Sequence, residues 1–330
     1  MERSPIWAQI ISIAGRSPST HNTQAWRLRV ASDREATLCY DREGMLPAED
    51  VDGDFNLINM GVFTRGAEIA AASIGHRLQW DFVLDESDPS PRYVPVAVLS
   101  LESDPGLEDA QLLDPFLERR TSRVPYDGQT LEARDLQALR DLAAGAGHEF
   151  AWTQEEESVR WFLTLNAETI VEDLQQPAVR RELHQWMRFT GLRARTTGDG
   201  LWSRCMNQNA FFMWFMVRYP QVLKVSWVSQ ALQRGYLRTQ AGTPAVGWIE
   251  GVIETREDQF SAGRLLLDFW IELHRLGIDM MPYGSLYTNQ WSKAKVSERT
   301  GAPGFWLIFR MGHGARPPQS YRRPAAELFI

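Results

Sequence analysis

Apolar positions along this chain switch between two periods, and the switches mark out its elements. "IWAQIISIA" (6–14) repeats every three or four residues and predicts a first helix ending near Gly15. "WRLRV" (26–30) and "ATLCY" (36–40) alternate instead, predicting two short strands joined by the polar turn "ASDRE". An alanine-rich helix is expected from Phe55 to about Arg77, with Asp54 at its N-cap. "WDFVL" (80–84) and "VPVAVLS" (94–100) read as further strands, followed by helical spacing over 107–118 and 131–143.

The second half follows the same style with different letters. The strand "HEFAWT" (148–153) leads into helices over 155–173 and 177–188. A Gly- and Thr-rich loop (190–200) then precedes a segment crowded with Trp, Phe and Met (202–227). Helix 257–276 is apolar nearly all round in its middle, which places it at the centre of the core, and Gly277 supplies a left-handed cap. "DMMPYGSLY" (279–287), a helix near 290–299 and the buried strand "FWLIFRMG" (305–312) complete the pattern. Strands joined as hairpins, without strict β-α-β alternation, indicate an α+β fold in two related halves.

Composition narrows the function classes. With 330 residues, 44% of them hydrophobic, the chain can build one large core or two ordinary ones. A net charge of −7 argues against nucleic acid as a partner, because phosphate backbones demand a concentrated positive field. Cys39 and Cys205 lie far apart without metal-ligand spacing, so a reducing, cytoplasmic setting is expected. No secretion signal is read at the N-terminus. The most apolar later segment (209–228) is broken by Arg218, Pro220 and Lys224, which leaves an unbroken run too short to span a bilayer, so no membrane partner is expected.

Dinucleotide, P-loop, zincin, nucleophile-elbow and Cys-x-x-Cys motifs are all absent from the sequence. Two cationic clusters stand out instead. "RRTSR" (119–123) sets Arg119, Arg120 and Arg123 around the hydroxyls of Thr121 and Ser122, and "SYRRP" (320–324) joins Arg322 to Arg323. Arginine forks match phosphate oxygens in two-point geometry. Either cluster alone also fits a solvated patch paired with glutamates. The stretch "PSTHNTQAW" (18–26) packs short hydrogen-bonding side chains that either shape a turn or border a flat, heteroatom-rich ligand. His21 alone reads as a satisfied structural residue, the Trp-rich segment as core, and "EEE" (155–157) as favourable charge at a helix start.

Taken jointly, these segments resemble the FMN-binding nitroreductase superfamily. "PSTHNTQAW" resembles its Pro-Ser-x-x-Asn-x-Gln-Pro-Trp signature, with Ala25 in place of the second proline, and "RRTSR" resembles its Arg-x-Ser/Thr-x-Arg/Lys signature. "RLGIDMMPYGSLY" (275–287) and the run from Ser297 to Pro324 resemble the family's closing helix, flavin-edge loop, final strand and basic tail. Residues 150–255 match least well.

In ordinary members the arginine motif comes first; here the Pro-Ser motif precedes it by about a hundred residues. The resemblance is therefore to two fused nitroreductase-like halves, mixed sheets with surrounding helices, that form a pseudo-dimer in one chain, as in the twin-domain Acg-like branch. The halves are expected at 1–112 and 113–330, with a lid insertion near 190–240. Fusion removes the need to dimerise and leaves a homodimer open.

The resemblance implies FMN as cofactor, NADH or NADPH as electron donor, and a small-molecule acceptor such as a nitroaromatic or quinone. Pro18, Ser19, Thr20 and Asn22 would border the isoalloxazine, supported by Gln24. Arg119, Arg120, Thr121 and Arg123 would hold the pyrimidine, ribityl and phosphate groups, joined by Arg322 and Arg323. Tyr283, Gly284 and Ser285 would offer backbone near flavin N5, which carries the chemistry without a catalytic side chain. Trp202, Phe211, Trp214 and Trp227 of the lid would stack against the ring or block it. Two alternatives stand beside an oxidoreductase: a protein that sequesters flavin with little turnover, and a fold whose arginines hold another anion.

Overall fold

The structure, a computed structural model, describes residues 4–330. Helix α1 (Pro5–Ala14) leads into β1 (Trp26–Val30) and β2 (Glu35–Asp41). Helix α2 (Asp54–Ser73) then crosses to β3 (His76–Phe82) and β4 (Tyr93–Ser103). The four strands pair antiparallel in the order β1-β2-β4-β3, with Trp26 opposite Tyr40 and Leu78 opposite Leu101.

The second half opens with α3 (Leu113–Glu118), α4 (Ala133–Gly145) and β5 (Glu149–Thr153). A long excursion follows: α5 (Glu156–Gln175), α6 (Pro177–Trp186), β6 (Met187–Arg188), α7 (Gly191–Thr197), β7 (Leu201–Trp202), α8 (Ala210–Arg218) and α9 (Ser226–Thr239). The chain returns through β8 (Ala245–Glu250), α10 (Arg256–Arg275), β9 (Asp279–Pro282), α11 (Ser285–Thr288), α12 (Gln290–Thr300) and β10 (Phe305–Gly312). The second sheet is antiparallel in the order β5-β8-β10-β9.

The two orders are one plan used twice. β1, β2, β3 and β4 correspond in position to β5, β8, β9 and β10, and α2 corresponds to α10, each helix linking the second strand of its sheet to the third. Helices α2 and α10 pack on each other so closely that only glycine fits. A Cβ at Gly61 would lie 1.8 Å from the Phe260 carbonyl oxygen, and one at Gly263 would lie 2.0 Å from that of Ile58. Residues 55–72 of α2 are all buried, because the helix is covered by its own sheet on one side and by α10 on the other. Its one arginine, Arg65, is paired inside this layer with Glu68 (2.8 Å) and Asp268 (2.7 Å). The chain's end returns to the first half: Leu328 is fully buried in its core, and Ile330 N–H donates to the Leu28 carbonyl (3.0 Å).

Several expected boundaries move, for local reasons. Helix α2 stops at Ser73, not near Arg77, because Gly75 turns in the left-handed region (φ 77°) and β3 begins at His76. Gly53, not Asp54, is the N-cap, and the Asp50 carboxylate accepts from the N–H groups of Phe55 (3.1 Å) and Asn56 (2.9 Å). The helical spacing over 107–118 resolves into a 3₁₀ turn, Glu108–Leu112, followed by α3. Strand β8, an inner strand of the second sheet, was not anticipated from "AVGWIE".

Candidate functional site

The loop between α1 and β1 is held by its own short polar side chains. Ser19 Oγ accepts from Gln24 N–H (3.1 Å), and Thr20 N–H donates to Asn59 Oδ1 on α2 (3.1 Å). Asn22 Nδ2 donates to the Tyr321 carbonyl (3.1 Å), while Gln24 Nε2 donates to the Gly198 carbonyl (2.9 Å). The loop therefore ties the first half to the excursion and to the C-terminal tail. His21, Asn22 and Gln24 adopt left-handed φ values of 49°, 56° and 51°. Such conformations cost non-glycine residues on the order of 1–3 kcal/mol each, and the cross-links hold them in place.

Two adjoining cavities meet at this loop. The larger, about 330 Å³, lies beside Ser19 and Thr20 and extends past Asn166 of α5, Met213 of α8 and Tyr236 of α9 to Gly284. The smaller, about 80 Å³, is walled by Arg16, Arg119, Arg120, Arg123 and Arg322. Pro18, Ser19, His21, Thr121 and Arg123 line both, so the two are compartments of one site.

The small compartment is a concentrated positive charge. Arg119 donates to the Arg16 carbonyl (3.1 Å), Arg120 to the Pro317 carbonyl (2.6 Å) and Arg322 to the Ser17 carbonyl (3.2 Å). None of the five arginines pairs with a carboxylate among the described residues, and the buried Nε atoms of Arg119, Arg120 and Arg123 have no partner. Burial, reinforced by Arg322 and Arg16, holds Arg119 well below the usual arginine range. Burial and Arg16 push Arg322 down to about 9. Unpaired buried guanidinium groups are costly, and the arrangement calls for an anion.

The large compartment is apolar over most of its wall and acidic at one end. Glu49, Asp50 and Asp173 line it. Burial, with Asp173, Glu182 and Asp50 nearby, raises Glu49 well above the ordinary carboxylate value. Glu49 Oε2 lies 3.1 Å from His21 Nε2, and burial together with Arg123 lowers that imidazole to about 4. Burial thus pushes both partners toward their uncharged forms. Among the described residues no cluster of His, Cys, Asp and Glu is arranged to hold a metal ion.

The structure brings most of the expected residues together. Pro18, Ser19, Thr121 and Arg123 line both compartments; Thr20, Tyr283, Gly284 and Ser285 line the large one; and Asn22, Arg119, Arg120 and Arg322 line the small one. Gln24 is fully buried behind the loop in a supporting position. Arg323 lines neither compartment: its guanidinium pairs with the buried Asp199, and its N–H donates to Gln24 Oε1 (2.9 Å). Tyr283 N–H is already bound to the Ile308 carbonyl (2.8 Å), so it is not free for a ligand. At Gly284 an added Cβ would meet only Phe55, at 3.9 Å, so backbone there faces open space.

The lid residues differ most from expectation. Trp202 borders the cationic compartment, but Phe211 (71% exposed) and Trp227 (68%) point to solvent, and Trp214 lines neither cavity. Phe212, Met213, Met216 and Val217 of α8 face the large cavity instead. Arg16 and the His21–Glu49 pair were missed. Arg16 borders the loop without a motif of its own, and Glu49 lies in an acidic stretch with no periodicity to mark it.

No family model matches the chain. Among curated proteins, one from Mycobacterium tuberculosis named as an NAD(P)H nitroreductase, Rv3131, is 25% identical over 179 residues, covering 54% of this chain and 49% of that protein. The M. tuberculosis protein acg, named likewise, is 29% identical over 120 residues, 35% of this chain and 34% of its own length. PigM of Serratia sp., also named as an NAD(P)H nitroreductase, is 22% identical over 316 residues, 91% of this chain and 86% of its own. The chain thus spans about half the length of the first and a third of the second. Among solved structures, a nitroreductase from Anabaena variabilis overlays 95% of this chain and 74% of its own at 12% identity, with a TM-score of 0.48.

Proposed function

We propose that this chain, a relative of the nitroreductase superfamily, binds FMN where its two halves meet and passes electrons from NADH or NADPH to a small oxidised acceptor such as a nitroaromatic or quinone. One observation carries the reading: five arginines without a carboxylate partner crowd a small compartment that opens beside a largely apolar cavity. A ligand with a phosphate at one end and a flat ring at the other satisfies both compartments at once. The relatives' names, NAD(P)H nitroreductase, point the same way.

The residues fit the group. Arg16, Arg119, Arg120 and Arg322 would hold its phosphate, and Arg123 and Thr121, at the junction, its polar middle. When bound, the flavin supplies two-electron transfer at its ring. Arg123 would stabilise negative charge arriving on the reduced ring, since a buried cation acts through low dielectric. The apolar wall, including Met213 and Trp270, would exclude water. Glu49, its carboxyl raised by burial and its Oε2 3.1 Å from His21 Nε2, lies in the cavity wall and would act as the proton donor to an acceptor anion.

An anaerobic absorbance titration tests the proposal. Protein reconstituted with FMN should bleach on addition of NADH or NADPH and recover its yellow colour with a nitroaromatic. A protein that binds no FMN overturns the cofactor assignment. A second reading, flavin sequestration, is supported by the side chains of α8 and α9 that close over the cavity, Met213, Met216 and Tyr236 among them. A yellow protein that neither nicotinamide bleaches would favour it.

A further inference from the structure

Charge is spread unevenly along this chain. Residues 190–240 contain seven Arg or Lys and one acid, Asp199, in a protein whose net charge is −7. All seven basic side chains, from Arg193 to Arg238, are exposed, and none forms an ion pair among the described residues. Asp199 is buried and neutralised by Arg188 and Arg323. Residues 190–240 therefore present exposed positive charge without ion-pair partners among the described residues, on an otherwise acidic molecule.

The same segment exposes large aromatic rings. On α8, Phe211, Trp214 and Arg218 stand at i, i+3 and i+7 and share one exposed face. On α9, Trp227, Ala231, Arg234 and Arg238 stand at i, i+4, i+7 and i+11 and share another. Each helix thus sets an aromatic ring and an unpaired cation on one solvent-facing stripe. Helix α8 is apolar on its opposite side too, where Met213, Met216 and Val217 line the large cavity.

We propose that this face, formed by α8 and α9, docks on an anionic lipid surface. Trp and Phe settle at headgroup level while Arg and Lys reach anionic headgroups, each cation near such a surface adding about fivefold to affinity. The association is peripheral: among the described residues no helix is long and apolar enough to cross a membrane. Two observations favour lipid over protein. A second copy would bring two uncompensated basic faces together. The aromatic rings lie on two separate helices, and a fluid surface accepts them without matching their shape. The inference does not depend on flavin chemistry.

Co-sedimentation of the full chain with vesicles tests it. Binding is expected to vesicles of phosphatidylcholine and phosphatidylglycerol in equal parts, and not to phosphatidylcholine alone. Raising salt to about 1 M, where screening shortens to about 3 Å, should release the protein. The triple variant R218E/R234E/R238E should weaken binding by at least about tenfold, and W227A should weaken it without changing the salt response. Circular dichroism reports whether the variants are folded; the lipid and salt dependence of the unaltered protein decides the matter even if they are not. Equal binding to both vesicle types, binding to neither, or retention by a folded triple variant overturns the proposal. A dimer that W227A dissolves, in a protein that ignores vesicles, would overturn it in favour of self-association.

Discussion

Arg119 is surrounded by positive charge and aromatic rings, with Trp270 4.9 Å from its guanidinium carbon and no carboxylate to answer it. A buried cation without a counter-charge costs fold stability and favours a bound anion, so the two properties should separate on mutation. Arg119→Met should weaken FMN binding about 10- to 100-fold, the loss of charge-assisted hydrogen bonds, while raising the thermal midpoint of the flavin-free protein. Fluorescence titration and differential scanning fluorimetry without FMN check the two halves of this expectation. Asp50 carries a pH signature. Burial raises its carboxyl to about 6 despite hydrogen bonds from Phe55 and Asn56. The folded state therefore binds a proton more tightly than the unfolded chain, and Asp50's contribution is lost as pH rises from about 4 to about 6, a change of about 2–3 kcal/mol. Urea unfolding at both ends of that window should show this slope flattened in Asp50→Asn. Short polar and basic motifs made most of this site legible, because they cluster in sequence as well as in space. Arg323 misled because a doublet says nothing of direction: its neighbour Arg322 reaches the compartment, while Arg323 turns to an aspartate more than a hundred residues away in sequence.

Elements with one exposed face were legible from their periodicity, and those covered on both faces were less so. Helix α10 was placed centrally because its middle is apolar nearly all round, and the structure buries it against α2. Strand β8 escaped because "AVGWIE" is short, contains a glycine and lies beside the least familiar part of the chain, although both of its edges are paired. Its Gly247 is required by packing: a Cβ there would lie 2.7 Å from the Phe150 ring. The α2–α10 contact makes the same demand of backbone against backbone, where no side chain can yield. Gly61→Ala and Gly263→Ala should each destabilise the fold by about 1–3 kcal/mol or more, the range for overpacking. Because these helices join the halves, FMN affinity should fall with stability. Gly235→Ala, on exposed helix where nothing lies within 4 Å, should leave both unchanged or slightly improved. Chemical denaturation of the three variants makes the comparison.

The whole molecule reads as a dimer written in one chain, yet its symmetry stops at the sheets and the helices α2 and α10 that pack between them. Between α1 and β1 the first half has residues 15–25, which carry the Pro-Ser loop; between α4 and β5 the second half has only 146–148, too few for such a loop. Conversely, β1 and β2 are joined by residues 31–34, whereas β5 and β8 are separated by 154–244, which supply Asn166, Met213 and Tyr236 to the cavity. The arginine compartment is equally one-sided, drawing Arg16 from the start of the chain, Arg119, Arg120 and Arg123 from the beginning of its second half and Arg322 from its tail. Duplicating the scaffold thus did not duplicate the site. The chain should bind FMN at a ratio of one per polypeptide, where a symmetric assembly of two equivalent halves would hold two. Isothermal titration of flavin-free protein with FMN, cross-checked by absorbance against protein concentration, measures that ratio. A value near two would mean that a second anion site exists on the opposite side of the α2–α10 axis. A value near one, lost in Arg322→Ala, would place the flavin phosphate where the tail closes over the Pro-Ser loop. That closure gives the tail two roles: Arg322 is held at Ser17 while Leu328 and Ile330 anchor the tail on the first sheet, so one segment both walls the arginine compartment and ties the two halves together.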